Sequence, residues 1–431
     1  MQSNCIWGDL YSDFCKKDGL MTYPMSLDWT QKKVLDFFRE HVTRGTLVFR
    51  VDEKHEIVLG DGSLPRAAMT VPDWAKTLKM ALSPDPGFGE AYMHGGFEVV
   101  SGEMEDLIRV LRLNFEGGHS ANGFGTFIEK LQALKFQIAQ FTTVKAASKR
   151  VRHHYDIGND LYTRFLDPEM QYSCAFWDDG AQTLEEAQHR KMSLTTQRLK
   201  INQPGLRVVD IGCGWGGLSR FIHRETGAEV HGITLSTEQF NWAQEKRNQM
   251  GDNAKAGLDY HLLDYRIFAD ANAGKYDRVV SVGMFEHVGR HQFKTYFEKV
   301  GELLKAGGRA VIHTIIKPRA EFTSPWIDKY IFPGGYIPAV HEVIEAAEHA
   351  KLMVEASHFH PGRNYANTLI KWRDRFRAVR DELDPAKYDE EFRRMWEFYL
   401  AGCINAFDDS EGGGGMRVGQ FVFTKPGFDY A

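Results

Sequence analysis

From residue 27 to 43 the chain reads LDWTQKKVLDFFREHVT, where Trp29, Val34, Phe37, Phe38 and Val42 recur at helical spacing along one stripe. The next stretch, GTLVFRVDEKHEIVLGDG, sets apolar residues on either side of a charged turn and predicts two short strands. A helix near 72–82 follows, then GFGEAYMHGGFEV (87–99), in which glycines interrupt aromatic residues. These mixed signals, with no catalytic constellation among them, predict a small N-terminal α+β domain, bounded at 1–115, that serves packing or binding rather than chemistry. Residues 116–145 read as a linker that opens on the loop EGGHSANGFG and runs as a helix towards KAASKRVRHH.

Beyond about 205 the pattern changes to an alternation of strands and helices. Apolar, β-rich runs stand at 206–211, 229–233, 278–282, 309–316 and 417–424, with helical stretches between the earlier ones. That order is the signature of an α/β domain built on a doubly wound, mostly parallel sheet, and it is bounded at 146–431. A helix-rich tract, 361–412, precedes the last strand.

Composition narrows the picture by exclusion. With 43% hydrophobic and 26% charged residues, the 431-residue chain is neither disordered nor fibrous. Its 53 Lys+Arg against 58 Asp+Glu argue against a nucleic-acid partner. The N-terminus lacks a signal-peptide core, and nowhere do 18 apolar residues run together. Cys5, Cys15, Cys174, Cys213 and Cys403 form no C-x-x-C pair, so neither a disulfide framework nor a metal site is expected, and the cytoplasm is the expected compartment. One local charge cluster stands out: Lys145, Lys149, Arg150, Arg152, His153 and His154. It reads either as a solvated helix face or as attraction to an anionic lipid surface, worth roughly 1 kcal/mol per basic residue close to it.

VVDIGCGWGG (208–217) runs from a buried strand through a glycine turn into a helix, so Gly212 and Gly214 can let a ligand approach the backbone beside free helix N–H groups. Dinucleotides, S-adenosylmethionine and tight packing all use such a turn. A nicotinamide site would place a carboxylate at the end of the second strand, but GITLSTEQ offers Thr234 and Gln239 there. Ser236 and Gln239 also read as a helix capping box. Asp264 and Tyr265, in LLDYR, offer an acceptor and a ring suited to an adenine, and Asp210 precedes the first glycine. The set favours S-adenosylmethionine over a dinucleotide without excluding the latter. Glu286 after the fourth strand, His313 within the fifth, and Cys174, Tyr365 and Cys403 are each compatible with packing alone, and spacing does not show that they converge.

HHYDIGNDLYTRFLDPEMQYSCAFW, VVDIGCGWGGLSRF, GITLSTEQ, VVSVGMFEHVG, HTII, PWIDKYIFPGGYIP, NYANTLIKW and FYLAGCINAF occur in this order over about 150–410. Together they closely resemble the cyclopropane-fatty-acyl-phospholipid synthases, relatives of the mycolic acid cyclopropane synthases. HFHPGRNY (358–365) departs from that family's usual approach to the tyrosine. The resemblance implies a fold of the S-adenosylmethionine-dependent methyltransferase type, with 361–412 as a helical lipid-tunnel insertion and 318–340 as part of its lid. It implies an enzyme that transfers a methylene from S-adenosyl-L-methionine across a cis double bond of an unsaturated phospholipid acyl chain, through a carbocation deprotonated by bound bicarbonate. By carry-over, the cofactor would be met by Tyr172, Ser173, Val208, Val209, Asp210, Ile211, Gly212, Cys213, Gly214, Trp215, Gly216, Thr234, Leu235, Ser236, Thr237, Glu238, Gln239, Asp264 and Tyr265. Bicarbonate would be held by positions matching Cys174, Glu286, His313, Ile315 and Tyr365, and Cys403 matches a cysteine traditionally placed in the active site. Tyr172, Phe176, Trp177, Phe332, Tyr336 and Tyr365 are candidates to face the cation. The implied partner is a phospholipid bilayer touched peripherally at the inner face of the membrane, and a homodimer is typical of the family. The competing expectations are a methyltransferase that leaves a methyl or methylene branch without ring closure, and a non-catalytic lipid-binding protein.

Overall fold

In the strand Thr46–Arg50 (β1) successive side chains are buried, whereas Glu56–Gly60 (β2) alternates between exposed and buried. The contrast puts β1 inside a sheet and β2 at its edge. With Arg66–Thr70 (β3) and Glu98–Ser101 (β4) they form a mixed sheet in the order β2-β1-β3-β4, in which β3 runs parallel to β1. The computed structural model describes Pro24 and residues 26–77, 84–115, 158–410 and 413–427. The predicted linker 116–145, the basic cluster at 145–154, Cys5 and Cys15 lie outside the described residues, as does the second half of the helix expected near 72–82.

The first helix spans Trp29–His41, and its stripe differs from the predicted one. Leu27, Leu35, Phe38 and Val42 are buried, while Trp29 and Phe37 are 74% and 44% exposed. Asp28 and Gln31 form a capping box, so Trp29 is the first helical residue and projects beyond the sheet that the following turns cover. Phe37 instead stacks on Phe115, at the end of the helix Met104–Phe115.

The larger sheet comprises Arg207–Ile211 (β5), Glu229–Thr234 (β6), Leu258–Leu262 (β7), Tyr276–Val282 (β8), Leu304–Ile316 (β9), Met353–His360 (β10) and Arg417–Thr424 (β11). Its order is β10-β11-β9-β8-β5-β6-β7, and β11 alone runs against the rest. One apolar core joins this sheet to the helices Tyr265–Ala271, Phe293–Leu303 and Val340–His349. A second joins its other face to Leu184–Leu199, Gly217–Thr226 and Thr237–Asn248. The double winding expected from the strand–helix alternation follows from covering both faces of a parallel sheet.

Between β10 and β11 the chain forms two long helices, Gly362–Val379 and Glu390–Ala406. They build a third, aromatic core with the helix Asn159–Phe165 and the segment that follows it, around Trp372, Trp396, Phe165 and Tyr399. Ion pairs tie this helical tract to the small N-terminal unit. Arg373 pairs with Glu105, Arg109 with Asp408, and Arg394 with Glu98 at 2.8 Å. Phe398 packs edge-on against both Phe88 and Trp326, the latter in the helix Pro325–Tyr330. Among the described residues no helix is long and apolar enough to cross a membrane.

Candidate active site

A cleft opens where β5, β6, β7 and β8 reach their C-terminal ends, the place where ligands collect in an open α/β sheet. Its floor is the glycine turn after β5. Gly214 has φ +56° and leaves open space where a side chain would stand. Gly216 has φ +77°, and a Cβ there would lie 2.5 Å from the Tyr260 hydroxyl. That hydroxyl donates to the Gly216 carbonyl at 3.0 Å, which locks the turn under the helix Gly217–Thr226. The Ser219 hydroxyl, in the first turn of the helix, donates to Asp210 at 2.7 Å. Burial pushes the Asp210 carboxyl up to about 6, against the opposing pull of Ser219 and Lys191.

The second and third strand ends supply further polar groups. The Thr234 hydroxyl donates to Gln239 Oε1 at 2.8 Å and accepts from the Ser236 N–H at 3.2 Å. Ser236 caps the helix by accepting from the Gln239 N–H, so only half of the predicted capping box forms, and the Gln239 side chain turns to Thr234 instead. Asp264 caps the helix Tyr265–Ala271, and its carboxylate receives Arg266 through two guanidinium nitrogens at 2.8 Å each.

Of the residues expected at the cofactor, Tyr172, Ser173, Asp210, Ile211, Gly212, Cys213, Gly214, Trp215, Thr234, Leu235, Gln239, Asp264 and Tyr265 line this cleft. Val208 and Val209 do not, because both are sealed inside the sheet. Gly216 lies beneath Tyr260, and Ser236, Thr237 and Glu238 are spent on the helix N-terminus. Gln171, Arg266, Met284, His287 and Pro333 also line the cleft and were missed, and Phe332, expected to face the cation, lines it too. His287 adjoins Glu286 and Pro333 adjoins Phe332, so both could have been named.

The residues expected to do chemistry do not line this cleft; Glu286, Ile315, Tyr365, Cys174 and Cys403 gather beside it, next to Tyr172. Glu286 sits on a short 3-10 turn after β8, buried, and its Oε1 accepts from the Ile315 backbone N–H at 2.7 Å. Its Oε2 is buried with no hydrogen-bond partner, and desolvation pushes the carboxyl up to about 7. A group in that state holds its proton much of the time at neutral pH, so Oε2 can present an O–H to an oxyanion. His313 shares a face of β9 with Ile315 and stands cross-strand from Gln420. Its ring stays neutral, held well below the ordinary range by burial and then by Lys191, His360 and Arg198. Tyr365, in the first turn of the helix Gly362–Val379, packs on Phe407 at 4.4 Å. Burial, and then the nearby Cys174, Tyr172, Cys403 and Glu286, hold its phenol well above the ordinary value. Cys174 is buried with its thiol pushed up, and the Cys403 thiol is pushed up to about 12 by burial. Neither is a ready thiolate.

Tyr399 belongs to this cluster and was missed, although it stands one helical turn before Cys403. Its hydroxyl bonds that of Tyr172 at 2.9 Å, and its ring meets Phe332 edge-on at 5.9 Å. Lys191 was missed for a physical reason: lysine is among the residues least often buried. Here it is fully enclosed, donating to Gln171 at 2.5 Å and to Ser173 at 2.9 Å. Of the expected cation-facing rings, Tyr336 stands elsewhere, while Phe176 and Trp177 are held by partners of their own. Tyr336 joins the core on the far side of the sheet and gives its hydroxyl to Glu342 at 3.0 Å. Phe176 is stacked between His360, at 3.7 Å, and His313, at 5.8 Å. Trp177 bonds Thr368 through its indole N–H at 3.0 Å.

The chain is similar to known proteins over most of its length. The sequence model described as "Mycolic acid cyclopropane synthetase" matches residues 142–412. The chain is 39% identical over 342 residues to the cyclopropane-fatty-acyl-phospholipid synthase of Escherichia coli K12, covering 79% of this chain and 83% of that one. It is 38% identical over 296 residues to the tuberculostearic acid methyltransferase UfaA1 of Mycobacterium tuberculosis, covering 65% and 66%. The crystal structure of the mycolic acid cyclopropane synthase CmaA1 complexed with SAH and CTAB superposes with a TM-score of 0.58 at 30% identity, covering 64% of this chain and 98% of that one.

Proposed function

The chain belongs to the mycolic acid cyclopropane synthetase family, and from that premise we propose that it is a cyclopropane-fatty-acyl-phospholipid synthase that uses Glu286 as the centre of an anion-binding site. It is an S-adenosylmethionine-dependent enzyme that adds a methylene across the cis double bond of an unsaturated acyl chain. When bound, S-adenosylmethionine supplies an electrophilic methyl carbon, and bicarbonate a weak base for the proton that leaves the product.

The glycine turn, Asp210, Gln239 and the Asp264–Arg266 pair fit a nucleoside with an amino-acid tail, since they combine open backbone with polar groups on three strand ends. Tyr172 and Ser173 line the same cleft, where Tyr172 bonds the Tyr399 hydroxyl and Ser173 accepts from Lys191. The observation that carries the anion-binding reading is the orphaned, buried Oε2 of Glu286. With its carboxyl pushed up to about 7, Glu286 can donate to a bicarbonate oxygen rather than repel it. Neutral His313 and the Tyr365 hydroxyl add donors, and the Ile315 N–H fixes the Glu286 carboxyl from behind. Tyr172, Tyr365, Tyr399 and Phe332 present ring faces and exclude water, which would otherwise capture a carbocation as an alcohol. Each such face stabilises a nearby cation by roughly 0.5–2 kcal/mol. Cys403 acts through packing, since its thiol carries almost no thiolate at neutral pH.

The helices Gly362–Val379 and Glu390–Ala406, with the segment 318–340, form the wall through which an acyl chain reaches the site. The basic residues between Lys145 and His154 favour docking on an anionic bilayer. The similarity to a tuberculostearic acid methyltransferase keeps a second reading, methyl branching without ring closure, as an outcome of the same assay. The expected result for Glu286→Ala is loss of turnover by about a thousand-fold with S-adenosylmethionine affinity unchanged within a few-fold, read by calorimetry and lipid analysis. Turnover near that of the parent enzyme removes Glu286 from the reaction.

A further inference from the structure

Gln420 is fully buried in the middle of β11, directly cross-strand from His313. Its amide oxygen accepts from Arg198 Nη1. A guanidinium has only donors to offer, so this contact settles which end of the amide is oxygen. The amide nitrogen is thereby turned to the other side, where it donates to Thr195 Oγ1 at 2.8 Å and to His313 Nδ1 at 3.1 Å. Thr195 can accept because its own proton goes to the Lys191 carbonyl at 2.7 Å. Both amide hydrogens and the amide oxygen are therefore spent, and the amide cannot flip without breaking three bonds.

We propose that Gln420 is a positioning residue of the reaction: oriented by Arg198, it donates to Nδ1 of His313 and fixes the neutral tautomer that carries its proton on Nε2. This rests on the reading of His313 as part of the anion site. A neutral imidazole can serve an oxyanion only through an N–H, and Gln420 leaves Nε2 as the nitrogen that has one. The surroundings keep the ring from taking a second proton. Burial first, and then Lys191, His360 and Arg198, disfavour an imidazolium, and Phe176 stacks on the ring at 5.8 Å. Of the carboxyl groups nearby, Asp178 lies against His360 at 3.9 Å, Glu286 accepts from the Ile315 N–H at 2.7 Å, and Asp167 and Asp210 act on Lys191.

The test uses the full chain with ¹⁵N-labelled histidine, and a His313→Gln variant to assign the His313 signals. Over about pH 6 to 8 the parent ring should show an unprotonated Nδ1, a protonated Nε2 and no titration. In Gln420→Glu the new carboxylate, paired with Arg198, accepts from His313 instead. Nδ1 then carries a proton, the ring titrates with a raised pKa, and turnover falls roughly ten-fold or more at neutral pH with an altered pH profile. Gln420→Met, of similar shape, should fold, populate both tautomers and lower kcat several-fold with KM for lipid and cofactor unchanged. A parent spectrum with the proton on Nδ1 overturns the inference, and so does a Gln420→Glu spectrum identical to the parent. A swapped tautomer with parental turnover removes His313 from the reaction and Gln420 with it, which separates that failure from a wrong reading of the amide. If Gln420→Glu does not fold, the parent spectrum and Gln420→Met decide.

Discussion

Glu286 carries a stability cost that its chemistry explains. Its carboxyl is pushed up to about 7 in the fold, from the ordinary 4.5 that it regains on unfolding. Between those two pH values the folded chain holds a proton that the unfolded chain has released, so stability falls as pH rises through this window and levels off above it. Glu286→Gln keeps an acceptor for the Ile315 N–H and removes the titration. The variant should gain on the parent from pH 5 to pH 8 by an amount on the order of 2–3 kcal/mol, measured by chemical denaturation across pH. A difference between the two proteins that stays flat over that range would show that the carboxyl is not held protonated. At this scale the sequence was legible in kind and illegible in environment. Glu286, His313 and Tyr365 could be named from matching segments, yet nothing local indicated that Oε2 lacks a partner, or that Lys191 lies beneath Ser173 with its ammonium pushed down to about 8 by burial. Those facts depend on what β9, β11 and the helical tract bring against them.

The element that shapes the cleft is the turn between β5 and the helix Gly217–Thr226. Gly216 combines φ +77° with the Tyr260 ring at the position of a Cβ, so an L side chain meets both backbone strain and a clash. Gly216→Ala should cost roughly 2–4 kcal/mol and weaken S-adenosylmethionine binding together with it, since the displaced turn carries Gly214 and Trp215. Thermal denaturation and calorimetry read the two effects, and a variant with parental melting would mean that the turn tolerates movement. The glycine spacing made this element readable, because glycine is chosen where backbone must bend or approach closely. The edge strand β10 was not readable. It leaves Met353, Val354 and Phe359 exposed, so its apolar pattern points outwards, and its tail HFH ran into what seemed a helical tract. Only pairing with β11 makes it a strand. The stripe of the first helix went wrong by the same logic, since the cap at Asp28 decides which turn reaches the sheet.

At the scale of the whole molecule, the helical tract packs against the small N-terminal unit. Arg373 with Glu105, Arg394 with Glu98, and Lys329 with Glu90 at 2.7 Å bind the small unit to the helices Gly362–Val379 and Glu390–Ala406 and to the segment 318–340. The chain order of helix and strand runs made the doubly wound core legible, because chirality and short connections leave few other topologies. Contacts between distant segments, such as Phe88 on Phe398, leave no local trace. Membrane docking belongs to this scale too. If the basic cluster between Lys145 and His154 draws the enzyme to a bilayer, binding to vesicles should tighten with anionic lipid and weaken steeply between about 0.05 and 0.5 M salt, as screening shortens the field. Co-sedimentation that ignores both variables would rule out the electrostatic part.

The central claim is ring closure: a transferred methyl that gives up one hydrogen at the site around Glu286. The most direct measurement incubates the full chain with unsaturated phospholipid vesicles and S-adenosylmethionine carrying a trideuterated methyl, followed by mass spectrometry of the acyl chains. The account predicts a cyclopropane retaining two of the three deuterons. A branched chain that keeps all three, or no transfer at all, would contradict it.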